Sequence, residues 1–365
     1  MKKWMGIILF VLCMVMVTGC AKDNDGAIKG NESNEEDLDK NQETTQAPDA
    51  NADQPAEVDT EEPSGTIEKT DINIAGLKGP TAMGMVQMMD LAEQNKTANN
   101  YKYTIAGAAD EISTGLVKGE IDIAAIPCNL ASVLYNKTEG KIKLAGINTL
   151  GVLYIVETGD TINTVEDLKG KTIYSTGYGT TPQFTLNYLL NAYGIDPEKD
   201  VTIEYKTEAT EVAALLSESD DAVAMLPQPY VTTVMMNNEK VRIALDVAKE
   251  WDSVSTDNSS VVTGVVAVRS EFLENNKAAV DAFMEEYAVS TAFVNENVEE
   301  AAVLVEKFNI FKAAAAIKAI PYCNITLIRG EEMKEKVGGY LTALFNQNPQ
   351  SVGGKLPADD FYYLP

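Results

Sequence analysis

From Asp71 onward, short apolar runs alternate with stretches whose apolar residues recur every three or four positions. The runs Asp71–Ala75, Tyr101–Ala106, Ile121–Ile126, Ile142–Ile147, Thr172–Ser175, Val201–Tyr205, Ala222–Met225, Arg242–Asp246 and Val261–Val268 predict strands. Between them, spacings such as Met85, Met88, Met89, Leu91 and Ala92, or Phe184, Leu186, Leu189 and Leu190, predict helices. Strand and helix in alternation is the pattern of parallel sheets covered on both faces, so the fold class is α/β. After Arg269 the pattern turns helical. Ser270 is placed to cap a long helix through Phe293, and Glu299–Phe308 and Glu331–Phe345 predict two more.

A boundary falls where the apolar strand Gly151–Val156 runs into the polar Glu157-Thr158-Gly159-Asp160, and Val261–Val268 supplies a return crossing. The expectation is two doubly wound lobes joined by a two-strand hinge: residues 71–156 with 262–365 form lobe 1, and 157–261 form the inserted lobe 2. The folded region, 71–365, has 295 residues.

The amino terminus carries a different pattern. Lys2 and Lys3 precede an apolar run of eleven residues, Ile7–Val17, too short to span a bilayer and suited to a signal peptide. It ends in Val17-Thr18-Gly19-Cys20, which resembles the bacterial lipobox. That likeness implies cleavage after residue 19 and acylation of Cys20, leaving the chain anchored to the membrane and facing the extracytoplasmic side. Residues 21–69 hold 15 acids against 4 lysines, with no aromatic residue. Such a segment cannot bury enough surface to order itself and is expected to be a tether of roughly 40 Å root-mean-square span.

Charge and missing residue types narrow the function. Of the formal net charge of −26, −17 falls on residues 71–365, which argues against nucleic acid as a partner. No histidine occurs anywhere. Ser-His-Asp and Cys-His nucleophiles and His-ligated zinc are therefore excluded. No acidic cluster has metal-ligand spacing, and Gly170-Lys171-Thr172 fails as a phosphate loop because position 165 is Val. The chain is expected to be no enzyme and to need no cofactor or metal. Outside the signal and Cys20, only Cys128 and Cys323 remain; one disulfide is open to them outside the cytoplasm.

Four strand ends share the same punctuation, a strand followed by turn residues and a helix: Ala75–Thr81, Ile126–Asn129, Ser175–Pro182 and Leu226–Tyr230. Pro80, Pro182 and Pro229 suit the first helical position. Helix starts present free amides that favour anionic or carbonyl groups, and in open α/β sheets ligands bind at carboxyl ends of strands. Two such edges from each lobe, facing across a hinge, would surround a small molecule.

Gly79-Pro80-Thr81-Ala82, Asp122–Pro127, Asp167–Ile173 and Gly179-Thr180-Thr181-Pro182 resemble the nitrate, sulfonate, taurine and thiamine-precursor branch of the solute-binding proteins of ABC importers. The resemblance covers nearly all of 71–365. It implies a type II periplasmic-binding fold, lobe closure on a small organic solute (sulfonate-like, taurine-like or another small anion), and delivery to a permease and ATPase by a monomer. Carried over position by position, it makes Thr81, Asn129, Thr180, Thr181 and Gln228 ligand contacts. Tyr178 and Tyr230 join them as cleft aromatics. Only Arg242, Arg269 and Arg329 are available to grip an oxyanion, and Arg269 is expected to pair with a carboxylate instead. Tyr178, Tyr230, Trp251 and Tyr322 keep a pyrimidine-like heterocycle as the alternative ligand, and a surface sensory lipoprotein is the alternative role. The Cys-Asn dipeptides at 128–129 and 323–324 are both candidates to border the cleft.

Overall fold

The computed structural model describes residues 69–207, 209–255 and 259–364. The signal, Cys20 and all but the last residue of the tether lie outside them. The elements run β1 (Asp71–Leu77), α1 (Pro80–Met83), α2 (Val86–Glu93), β2 (Asn100–Ala106), α3 (Ala109–Lys118), β3 (Ile123–Pro127), α4 (Cys128–Lys137), β4 (Ile142–Leu150) and β5 (Leu153–Glu157). There follow β6 (Thr172–Thr176), α5 (Thr181–Ala192), β7 (Thr202–Lys206), α6 (Ala209–Glu218), β8 (Val223–Pro227), α7 (Tyr230–Asn237), β9 (Arg242–Asp246) and α8 (Val247–Val254). The chain then forms β10 (Val262–Arg269), α9 (Ser270–Asn275), α10 (Lys277–Glu296), α11 (Val298–Lys307), α12 (Ala313–Ala319), β11 (Ile325–Ile328) and α13 (Gly330–Gln347).

The strands form two sheets, ordered β11-β4-β10-β3-β1-β2 and β7-β6-β8-β5-β9. Each contains the same motif. Three parallel strands (β2-β1-β3, and β7-β6-β8) are followed by one antiparallel strand, β10 or β5, and then by a fifth strand, β4 or β9, that runs in the direction of the first three. In both sheets the antiparallel strand is the first one laid down after the chain arrives from the other lobe. The arrangement is an α/β fold of two doubly wound lobes.

Each sheet is covered on both faces, and side-chain alternation divides its residues between two cores. On β3, Ile123 and Ala125 face one core while Ala124 and Ile126 face the other. On β5, Leu153 and Ile155 oppose Tyr154 and Val156 in the same way. Such strands are buried on both sides, which is why they read as continuous apolar runs.

Three local expectations are corrected, and the open question of a disulfide is answered. The strand read at Gly151–Val156 pairs with β8 and β9 inside the second sheet, so the outgoing passage is the Gly151-Val152 step, and the return lies between α8 and β10. The long helix expected from Ser270 is broken at Asn276, whose φ of −135° and ψ of 37° are not helical. Ser270 does not cap it: Arg269 holds the N-cap position, and the Ser270 hydroxyl donates to the Gly140 carbonyl at 2.9 Å. Cys128 and Cys323 are both free and buried, in cores on opposite faces of the first sheet. Among the described residues no helix is long and apolar enough to cross a membrane.

Candidate ligand-binding cleft

The four turn-rich strand ends lie where the lobes meet, and each is shaped by local constraints. Gly79 holds φ at 130° with nothing near a would-be Cβ, so backbone conformation rather than crowding requires glycine there. Behind this loop, a Cβ on Gly264 of β10 would collide with Thr81 Cγ2 and Asn148 Oδ1, so that strand must pass bare. Thr81 is 5% exposed; its hydroxyl donates to the Leu77 carbonyl at 2.8 Å, and its own carbonyl accepts from Asn148 Nδ2 at 3.0 Å. Asn148 Nδ2 also donates to the Tyr287 hydroxyl at 3.0 Å. Burial pushes the Tyr287 phenol well above its ordinary range, so it stays neutral and can accept that bond. Thr81 thus fixes the loop with its side chain.

Asn129 and Thr181 are brought together across the lobes. Thr181 Oγ1 donates to Asn129 Oδ1 at 2.9 Å, while Asn129 Nδ2 donates to the Ser351 carbonyl at 3.2 Å. The same flank is closed by packing. Phe184 of α5 and Trp251 of α8 sit within the core that holds Tyr340 and Leu344 of α13. Tyr188 stacks on Trp251 at 3.8 Å between ring centroids, and Thr185 Oγ1 lies 3.1 Å from the Tyr340 hydroxyl. Trp251, read from sequence as a cleft aromatic, is 0% exposed and is a packing residue that joins the lobes.

The opposite flank, by α7, is open. A cavity of about 420 Å³ is lined by Lys78, Gly79 and Gly107 of the first lobe, Pro229 and Tyr230 of the second, and the Glu306–Lys312 region of the first. Tyr230 reaches across it to pack edge-on against Phe311 at 6.3 Å. Lys312 Nζ pairs with Glu306 at 3.0 Å, and among the described residues Lys78 has no ion-pair partner. Gln228, 2% exposed, faces a separate cavity. Thr180 and Tyr178 lie on the exposed loop before α5: Thr180 Oγ1 donates to the Gly177 carbonyl at 2.7 Å, and Tyr178 packs edge-on to Tyr205 at 5.3 Å. Of the seven sequence candidates, Tyr230 alone lines the first cavity.

None of the three arginines of the folded region is free for a ligand. Arg242 pairs with the buried Glu157, Arg269 with Asp122 at 2.9 Å and Glu271 at 3.2 Å, and Arg329 with Glu285 at 2.7 Å. The expected carboxylate partner of Arg269 is therefore present. Asn324, in the second Cys-Asn pair, serves the lobe passage: its Nδ2 donates to the Gly151 carbonyl at 2.5 Å. Among the described residues no group of three or more acidic or thiol side chains is placed to hold a metal.

The paired sheets, each with one antiparallel strand inserted after the crossing, have counterparts among solved structures. An ABC transporter protein from Parabacteroides distasonis is 26% identical, with a TM-score of 0.68 over 81% of this chain and 99% of that one. The fold is that of the periplasmic binding proteins. Two further proteins of this fold are similar at lower identity. The periplasmic aliphatic sulphonate binding protein SsuA from Escherichia coli matches at 16% identity and a TM-score of 0.62, covering 80% of this chain and 93% of its own. The alkanesulfonate-binding protein SsuA from Xanthomonas axonopodis pv. citri, bound to MOPS, matches at 13% and 0.59, covering 82% and 99%. The NMT1/THI5-like family model matches residues 142–301, a span running from β4 into α11 and containing the whole second sheet. No curated protein sequence matches the chain. The resemblance drawn from the loop motifs is met in the fold and, over residues 142–301, in the family-model match.

Six lining residues of the first cavity escaped the sequence reading: Gly107, Glu306, Asn309, Ile310, Phe311 and Lys312; Lys78 lies in the predicted Ala75–Thr81 edge but was not singled out there. The one available signal was the loop Asn309-Ile310-Phe311-Lys312, which places two large apolar residues outside any helix.

Proposed function

We propose that this chain is the extracytoplasmic solute-binding component of an ABC importer, holding a small organic solute between its lobes and passing it to a permease and ATPase. The observation that carries this reading is the 420 Å³ cavity whose walls come from both lobes. A solute touching Lys78, Gly79 and Gly107 on one side and Pro229 and Tyr230 on the other binds best when the two sides approach, so it shifts the population toward the closed form. Lys78 supplies an uncompensated positive charge, and Tyr230 with Phe311 supplies an apolar wall. This suits a small anion with a short apolar part, of the sulfonate or taurine kind, and the sulfonate-binding proteins named among the structural matches support it. The Tyr230–Phe311 ring pair favours a pyrimidine-like heterocycle as the second reading. In either case Cys20 carries the lipid, residues 21–69 serve as tether, and the protein acts as a monomer at the outer face of the membrane.

Thermal melting of the full chain with a panel of alkanesulfonates, taurine, nitrate, amino acids and pyrimidines tests the proposal. A true ligand at a hundredfold excess over its Kd adds about 2.7 kcal/mol. Lys78→Ala should weaken an anionic ligand at least about tenfold. Melting that no compound moves would sink the reading.

A further inference from the structure

A second cavity between the lobes, of about 430 Å³, shares no lining residue with the first. Gln228, Thr232, Met235, Met236 and Ile243 of the second lobe form one wall; Ile317, Lys318, Pro321 and Tyr322 of the first form the other. We propose that this cavity is a binding site for a small carboxylate with an apolar body.

The argument starts from Gln228, whose side chain is only half used. Its Oε1 accepts from the Thr232 amide at 3.2 Å and the Thr232 hydroxyl at 2.9 Å, which caps the start of α7. Its Nε2 is buried and has no hydrogen-bond partner. Capping needs only the oxygen, so the amide nitrogen has no structural task, and a buried donor left unmatched costs about 1–3 kcal/mol. An acceptor group in the cavity removes that cost. The Lys318 ammonium in the same lining makes a charged acceptor better than a neutral one.

The remaining walls specify the rest of the ligand. Met235, Met236, Ile317 and Tyr322 are 36–49% exposed, so four of the large exposed apolar side chains of the described residues gather at one cavity. Methionine pairs adapt to apolar shapes without demanding one outline, and the volume falls within the ordinary range for small-molecule sites. Because the walls belong to different lobes, an occupant also favours the form in which they are close.

Sodium octanoate, titrated into full chain labelled with ¹³C at methionine methyls, is the probe. The Met235 and Met236 signals, assigned with Met235→Leu and Met236→Leu, should shift saturably while those of the core residues Met83 and Met88 stay put. Gln228→Glu keeps the capping oxygen and replaces the donor with a like charge; octanoate affinity should fall at least about tenfold. Ile317→Ser, on the other wall, should weaken binding severalfold without moving the melting temperature. Lys78→Ala should leave octanoate binding unchanged, so this proposal and the importer reading fail separately. Unsaturable shifts, shifts spread over all methionines, or equal affinity in Gln228→Glu would overturn it.

Discussion

Replacing Trp251 separates a permanent joint between the lobes from a contact made only on closure. The indole is 0% exposed, stacks on Tyr188 at 3.8 Å and 24°, meets Tyr340 edge-on at 5.4 Å, and donates from Nε1 to Ser259 Oγ at 3.1 Å. Truncating a buried aromatic of this size to alanine costs about 3–5 kcal/mol. Of that, ring geometry accounts for about 0.5–1.5 kcal/mol and the hydrogen bond for about 1 kcal/mol. Spread over a folded region of this length, the loss lowers Tm by roughly 5–8 °C for Trp251→Ala. Trp251→Phe, which keeps a ring in the stack, should lose less than half as much.

The second readout is spectroscopic. The chain has two tryptophans, Trp4 and Trp251, so in a Trp4→Phe background all indole emission reports this joint. If it is a permanent joint, the core shared by α5, α8 and α13 stays closed whether or not a solute is bound. Emission should be blue-shifted and acrylamide quenching weak, both unchanged by any solute that raises Tm. Strong quenching in the unliganded chain, suppressed by ligand, would refute the permanent joint and make Trp251 part of the closing surface.

Three further outcomes follow from single contacts. Gly264→Ala forces a methyl into Thr81 and Asn148 and should cost about 1–3 kcal/mol by overpacking, read as a lower urea midpoint with unchanged slope. Hydrogen bonds from Tyr135 and Lys143 hold the Asp360 carboxyl below its ordinary range. A lowered folded-state value adds stability above the unfolded value and loses it as pH falls through the folded one. Asp360→Asn should therefore cost under about 1 kcal/mol at pH 7, and the gap to the parent should close on acidification below the carboxylate range; a gap that stays constant with pH would contradict this. Burial raises both thiols, Cys323 up to about 12. In a Cys13→Ser/Cys20→Ser background an aromatic disulfide reagent should label neither thiol in the native state and both after denaturation, whereas a mass showing a disulfide would contradict the free pair.

Much of the fold was legible because its strands are buried on both faces. β9 matches its predicted span Arg242–Asp246, and most others agree to within two residues. β4 was read three residues short because Asn148 and Thr149 interrupt its apolar run before Leu150; a buried site between Thr81, Gly264 and Tyr287 accepts these two polar residues, and an apolar pattern cannot signal them. The break at Asn276 was invisible for the opposite reason: the apolar spacing continues across it, and only the backbone angles reveal it. Trp251 could be placed near the cleft but not assigned its neighbours, because α8 shows which of its faces is apolar without showing that the partner is Tyr340, 89 positions later.

The same reasoning explains why loop motifs located the cleft and not its contents. Strand ends punctuated by Gly and Pro mark both flanks of the cleft alike, after β1, β3, β6 and β8, yet the lobes meet asymmetrically. On the α5 flank, Thr181 and Asn129 satisfy each other, and Phe184, Tyr188 and Trp251 fill the space a ligand would need. On the α7 flank, the facing wall comes from residues 306–322, which belong to the helical tail and carry no strand-end signature at all. Both inter-lobe cavities lie there. If the packed flank is a joint, solute must enter and leave past Tyr230 and Phe311, and the lobes must part at that edge while the other stays closed.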